Sequence, residues 1–292
     1  MTLVAPAPYD AGKRGAVLDL LERVWGDRPD EEEFAWWFER APAGPALLAL
    51  AEDDGRVVGV ASMSLLRCRV AGAERIVPMP LQVATDPAYR GRGIFTTLER
   101  ANEEAAAARG CAAGVTFPND ASRPIFLGAL GWERLWRGRV WARPPLPPLP
   151  AGRLRIERVE RAPAGVEELA GDANGQVVDA ALLEWRYLRS PREYAVTAAY
   201  EGSALRGVLA LRPRRGRTAV VGHALGDVGR LLRAAGSARP AIALVPRAQR
   251  AAFIAAGFLP TPKTVEVLGK RLLPEGTLAG SWEFQLGDFD VF

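Results

Sequence analysis

Cysteine and histidine are nearly absent: two cysteines, Cys68 and Cys111, and one histidine occur in 292 residues. Two isolated thiols exclude a disulfide framework, and one histidine leaves no metal-ligand cluster to assemble by spacing. No apolar run approaches membrane length, and the amino end lacks a charged-then-apolar leader. The expectation is a soluble, cytoplasmic protein with reduced thiols and no metal. Blocks of like charge are missing too. Lysine and arginine exceed the acids by only four, and the arginines are scattered. That pattern predicts a solvated surface with local phosphate binding and argues against a nucleic-acid stripe.

What is present is ample apolar content, 49% of the chain, over a length that suits two domains. The run Arg143-Pro144-Pro145-Leu146-Pro147-Pro148-Leu149-Pro150 reads as a stiff spacer between them. The expected organisation is a domain over 1–142, a linker over 143–152 and a second domain over 153–292. Helices are predicted at Lys13 to Trp25 and Glu31 to Glu39, and strands at Ala46 to Ala51, Arg56 to Val70 and Ile76 to Thr85. Pro78 and Pro80 sit two apart, so both missing N–H groups fall on one edge of their strand. Pairing should fail there.

The most informative segment is Leu81-Gln82-Val83-Ala84-Thr85-Asp86-Pro87-Ala88-Tyr89-Arg90-Gly91-Arg92-Gly93-Ile94-Phe95. An apolar strand runs into an Arg- and Gly-rich turn that opens a helix. Gly91 and Gly93 permit positive φ and a close backbone approach, the first helical N–H groups point at the same spot, and Arg90 and Arg92 add charge. The chemistry suits a pyrophosphate. Neither a dinucleotide fingerprint nor a P-loop fits, since G-x-G-x-x-G and G-K-[ST] are both missing. In the following helix Ile94, Leu98, Ala101 and Ala105 share one face, and Glu99, Arg100, Glu103 and Glu104 are expected to face elsewhere. A short strand pattern follows at Cys111 to Phe117, then Pro118-Asn119-Asp120-Ala121-Ser122 and Leu127-Gly128-Ala129-Leu130-Gly131-Trp132.

Arg90-Gly91-Arg92-Gly93-Ile94-Phe95 resembles the acyl-CoA-binding motif of the GNAT superfamily of N-acetyltransferases, and the Asn119 and Leu-Gly-Trp segments are similar to its second motif. The resemblance implies a mixed α/β sheet flanked by helices, acetyl-CoA as donor and an amine acceptor on a small molecule or peptide. It also implies cofactor contacts at Val83, Ala84, Arg90, Gly91, Arg92, Gly93, Ile94, Phe95 and Asn119, with backbone N–H groups at Val83 and Ala84 for the oxyanion. Asn119 suits a helix cap equally well. Two positions depart from the family pattern. Phe95 replaces a small residue at the phosphate end, and Phe126 stands where many members carry a tyrosine general acid.

The second half repeats the first. Trp36-Trp37-Phe38-Glu39-Arg40-Ala41-Pro42 matches Trp185-Arg186-Tyr187-Leu188-Arg189-Ser190-Pro191, and Leu127 to Trp132 matches Phe253 to Phe258. A duplicated, tandem fold is the economical account. Where the second cradle should stand there is only Gly226-Asp227-Val228-Gly229-Arg230, so that half is expected to have lost CoA binding. The strand before the first cradle carries no carboxylate. The tail, Ser281 to Phe292, alternates apolar residues with acids, and Asp288, Asp290 and the Phe292 α-carboxylate are the candidates for a base or ammonium binder on the first domain's acceptor side. A last strand with solvated acids is the competing reading. A non-catalytic acyl-CoA-binding protein stays open as the rival function. A cell-wall-type aminoacyl transferase lacks the basic surface it would need, and an acyl-CoA decarboxylase is a remote third.

Overall fold

The computed structural model describes residues 6–214, 218–235 and 239–289. It divides into two units, residues 1–136 with 266–279, and residues 137–265 with 280–292. The first unit opens with β1 (Ala7–Pro8), α1 (Arg14–Trp25) and α2 (Glu31–Phe38). The meander β2 (Leu47–Asp53), β3 (Arg56–Val70), β4 (Ala73–Thr85) follows, then α3 (Ile94–Ala108), β5 (Ala113–Thr116), α4 (Arg123–Leu127) and the start of β6 (Glu133–Arg143). Asp30 caps α2 by accepting the Glu33 N–H at 2.8 Å, and α1 stops at Gly26, whose φ of 88° is the left-handed turn glycine supplies.

In this unit β1 to β4 form one antiparallel sheet in chain order, and the ladder ends at β4. The two prolines explain the edge. Pro80 and Pro78 lie opposite Met63 and Leu65 of β3, and neither has an N–H to give on the far side. β5 lies near that edge without joining it. Thr116 Oγ1 donates to Pro80 O at 3.3 Å, and Gly114 lies so close that a Cβ there would stand 3.0 Å from Pro78 O. β5 pairs instead with β13 (Leu259–Arg271), Leu268 opposite Thr116. The strands β4 and β5 therefore lack a common ladder.

The second unit holds the remainder of β6, then β7 (Arg155–Arg158), β8 (Gly175–Gln176) and α5 (Ala180–Leu183), the last running on into a π turn at Glu184–Leu188. Next come β9 (Ala195–Glu201), β10 (Ala204–Arg214), β11 (Thr218–Gly226), α6 (Val228–Ala235), β12 (Ala241–Leu244), α7 (Arg250–Ala255) and the first part of β13. Its sheet runs β6-β12-β11-β10-β9-β7. A core of Trp141, Leu209, Val221, Leu231, Phe253 and Phe258 fills one side.

These boundaries differ from those expected of two contiguous domains. Residues 266–279 return to the first unit because the second half of β13 pairs with β5, and β6 changes unit at Trp136. Arg143 is no linker residue. It lies opposite Ala241 at the end of β6, is 4% exposed, and donates to the Leu232 and Ala256 carbonyls at 2.9 and 3.4 Å.

The element order repeats. Trp36 and Trp185 each lie on the helical segment before the first long hairpin, and Gly131 and Gly257 each take positive φ, 68° and 85°, between a short helix and a long strand. One hydrogen bond matches as well: Gly131 N donates to Gly128 O at 3.3 Å, and Gly257 N to Ile254 O at 2.9 Å.

Candidate active site

The cradle in the first unit is built by a chain of local caps. Asp86 is 5% exposed, and its carboxylate accepts from Ala88 N at 3.1 Å, Arg23 Nε at 3.3 Å and Arg56 Nη2 at 2.6 Å. That fixes the helical turn Pro87–Tyr89, whose Tyr89 hydroxyl donates to Asp53 Oδ2 at 2.5 Å. Arg92 stacks on the Tyr89 ring at 4.7 Å and donates to Ala88 O at 3.0 Å. Gly91 and Gly93 have φ of 73° and 76°, and a Cβ on either would meet nothing within 4 Å. Open space over left-handed glycines, at the amino end of a 15-residue helix that no side chain caps, suits an anion.

Upstream of the cradle β4 carries a bulge. Val60 lies opposite Ala84 and Ser62 opposite Leu81, so Gln82 and Val83 together face the single residue Ala61. Gln82 takes φ of 42°, in the left-handed region a side chain rarely adopts. Side chains from three elements hold the carbonyls around it. Ser62 Oγ donates to Leu81 O and reaches Gln82 O at 3.4 Å, Asn102 Nδ2 of α3 donates to Ala61 O at 2.9 Å, and Thr116 of β5 holds Pro80 O.

Phe95 does not crowd the phosphate end. Its ring meets Phe126 edge-on at 5.6 Å, and Phe126 meets Trp132 at 5.4 Å, within a cluster that includes Leu130 and Leu268. The same face of α3 buries Glu99 and Glu103, which the sequence placed elsewhere. Residues 95, 99 and 103 are four apart and so share a stripe. Glu103 accepts from Trp132 Nε1 at 2.8 Å and from Lys270 Nζ at 2.6 Å. Glu99 has no hydrogen-bond partner for either oxygen. Its burial, and then the Glu103 charge, push its pKa well above the usual carboxylate range.

Asn119 caps the turn before α4, its side-chain oxygen accepting from Ala121 N at 3.1 Å and Ser122 N at 2.9 Å, and it is exposed. Phe126 is buried among aromatics, and Trp37 is a core residue whose Nε1 donates to Ser64 Oγ at 3.0 Å.

The corresponding region of the second unit is filled. β11 has the same bulge, with Leu209 opposite Ala224 and Leu211 opposite Val221, so Gly222 and His223 take the places of Gln82 and Val83, and Ala224 that of Ala84. There the Ala224 N–H donates to Gln285 Oε1 at 2.9 Å. Asp288 belongs to this unit and is 5% exposed. Its carboxylate takes His223 Nε2 at 2.9 Å and the Gln285 N–H at 2.6 Å, while the Tyr187 hydroxyl meets His223 Nδ1 at 2.5 Å. An Nε2–H imidazole satisfies every member of that chain. Asp288 is thus engaged within the second unit, and Asp290 and Phe292 lie outside the described residues. The turn after β11 offers no cradle. Asp227 N donates to Arg206 O at 2.7 Å, and a Cβ on Gly226 would collide with that carbonyl. Sequence reasoning used the lone histidine only to argue against a metal. Among the described residues no group of three or more His, Cys, Asp or Glu side chains could hold one.

The first unit is a mixed α/β unit with an edge strand, a bulge and an open glycine turn at the start of α3. Residues 8–135, within the first unit, match the family model described as Acetyltransferase (GNAT) domain. Three solved structures share the fold over nearly the whole chain. A conserved protein of unknown function from Enterococcus faecalis V583, described as a probable N-acyltransferase, is 14% identical with a TM-score of 0.70, covering 93% of this chain and 73% of that one. A GCN5-related N-acetyltransferase from Kribbella flavida is 16% identical with a TM-score of 0.69, over 91% and 71%. A tandem GNAT protein from the clavulanic acid biosynthesis pathway is 18% identical with a TM-score of 0.61, over 93% and 98%. Comparison with curated protein sequences found no match. No helix among the described residues is long and apolar enough to cross a membrane.

Proposed function

We propose that the first unit transfers an acyl group, acetyl in the first instance, from acyl-CoA to a primary amine on a small molecule or peptide. The observation that carries this reading is the juxtaposition, on consecutive residues, of the bulged edge of β4 and the open glycine cradle at Arg90 to Gly93. Arg90, Arg92 and the first amides of α3, from Ile94 and Phe95, would hold the phosphates, and Asn119 at the α4 turn would meet the pantetheine end. In the reaction the amine nitrogen attacks the thioester carbonyl, the C–N bond forms, the C–S bond breaks, and the ammonium proton leaves as the thiolate is released. Backbone N–H groups at Val83 and Ala84 would face the carbonyl oxygen. The second unit supports that role: Ala224, the counterpart of Ala84, already donates to a carbonyl oxygen of the amide type.

No carboxylate lies on β4 between Ile76 and Thr85, and Phe126 has no proton to give, so the amine would lose its proton through water or its own binding equilibrium. Asp288 is not proposed as the base. Those two gaps favour one second reading, an acyl-CoA-binding protein without turnover. Calorimetric titration with acetyl-CoA tests what both readings share. Wild-type protein should bind with a dissociation constant on the order of micromolar, as enzyme substrates do. Replacing Gly91 and Gly93 by Val should abolish binding, and undiminished binding in that variant would remove the cradle from the account.

A further inference from the structure

The second unit repeats the strands that make the acyl site of the first and fills the gap beside them with its own chain. β11 and β12 are paired at Ala219 with Ala241 and at Val220 with Ile242, before the bulge. Past that point the donor of Ala224 turns to the tail. Five residues anchor the tail: Asn174, Arg247, Ala224, His223 and Arg186. Asn174 N donates to Ser281 O and Glu283 N donates to Asn174 O, both at 2.9 Å. Arg247 N donates to Glu283 Oε2 at 3.1 Å, Gln285 takes Ala224 N, and Asp288 takes His223. Arg186, 3% exposed, donates to Phe289 O at 2.8 Å and to Gly287 O at 3.3 Å. Trp282, Phe284, Leu286 and Phe289 are each no more than 4% exposed. Gly287 is required where it stands, since a Cβ there would overlap the Tyr187 hydroxyl and the His223 ring, and Gly222 faces the same hydroxyl.

We infer that the β11 bulge of the second unit is a peptide-binding site whose ligand is this chain's own segment Trp282 to Phe289, held as a pseudo-substrate with the Gln285 side-chain carbonyl in the position of an acyl oxygen. The duplicated site has exchanged a diffusible ligand for a tethered one. An amide carbonyl offers the bulge N–H the same acceptor a thioester would, and the tail needs no phosphate cradle because five anchors replace it. This explains why the cradle sequence is gone from the second half while the bulge is kept. The peptide site stands on the observed register. The word pseudo-substrate rests on the acyl-transfer reading of the first unit.

The test uses the full chain with a protease recognition sequence inserted between Ala279 and Gly280, cut after folding. The freed peptide should stay with the protein through gel filtration. Hydrogen exchange of the Ala224 amide should remain slow, and Gln285→Ala should speed it by at least about tenfold, as expected for a lost hydrogen bond. Asp288→Asn combined with Gln285→Ala should release the cut peptide, while Ser281→Ala, at an exposed position, should retain it. Immediate loss of the peptide from the unsubstituted cut chain would overturn the inference, as would equal Ala224 exchange with and without Gln285. Acetyl-CoA titration of the same samples reads the first unit separately. Retained peptide without CoA binding would contradict only the acyl-transfer reading, and CoA binding with a lost peptide only the tethered ligand.

Discussion

Glu99 and Glu103 lie one turn apart on the same face of α3, and they are supplied unequally: Glu103 is bonded to Trp132 and Lys270, whereas both oxygens of Glu99 are unsatisfied. A buried carboxyl without donors stays protonated, because ionising it would place a second charge beside Glu103 in a dry cluster.

The consequence for stability has a definite sign. The unfolded chain ionises Glu99 near its ordinary value of 4.5, while the folded chain holds the proton to higher pH. Folding therefore binds a proton, and stability falls as pH rises above about 4.5, by roughly 1.4 kcal/mol per pH unit until the folded group ionises. Glu99→Gln removes this dependence. Denaturant unfolding from about pH 5 to about pH 7 should show the variant gaining on wild type at each step. A constant difference would mean that Glu99 is charged in the folded protein.

Asp86 ties the cradle to α1 and β3 through Arg23 and Arg56 while capping the Pro87–Tyr89 turn. Asp86→Ala should destabilise the protein by about 1 to 3 kcal/mol, since it removes a cap and leaves two guanidinium groups, both partly solvated, without their carboxylate. Asp86→Asn keeps an acceptor for Ala88 N and should fall between. Thermal unfolding of the three proteins, with acetyl-CoA affinity measured on each, checks the order. Equal melting temperatures would show that Asp86 is dispensable.

Ser62 offers a cleaner view of the bulge. Its hydroxyl holds the Leu81 carbonyl, so Ser62→Ala frees the segment whose N–H groups are proposed to face the acyl oxygen. Turnover should fall about tenfold or more while KM for acetyl-CoA moves by less than about twofold, the pattern of a loss felt mainly in the transition state. Ser62→Thr, which keeps the hydroxyl, should recover most of the rate. If both parameters shifted together, the bulge would serve binding alone.

Much of this was legible in the residues because it is encoded locally. Gly91, Gly93 and their arginines specify a left-handed, positively charged turn within four positions, and Pro78 and Pro80 mark the edge of β4 without knowledge of any partner. The return of residues 266–279 to the first unit was not legible. It depends on Leu268 meeting Thr116 from the far end of the chain, and nothing near either residue announces it. Glu99 was misplaced for a different reason. The apolar periodicity of α3 described one buried face, and the second is made of Phe95 and two glutamates, which hydrophobic pattern cannot mark. The tail showed its order through alternating apolar residues and acids, but its receptor, His223 and the Ala224 amide, appears only once the bulge is seen twice.

Thiol release from acetyl-CoA, followed over a panel of amines, amino sugars and peptides, decides whether the first unit transfers an acyl group. The account predicts amine-dependent appearance of free CoA thiol with at least one acceptor class, and its loss in the folded Gly91→Val/Gly93→Val variant, because a Cβ at positive φ closes the backbone approach. Thiol release that is independent of every amine, or that survives intact in the double variant, would contradict it.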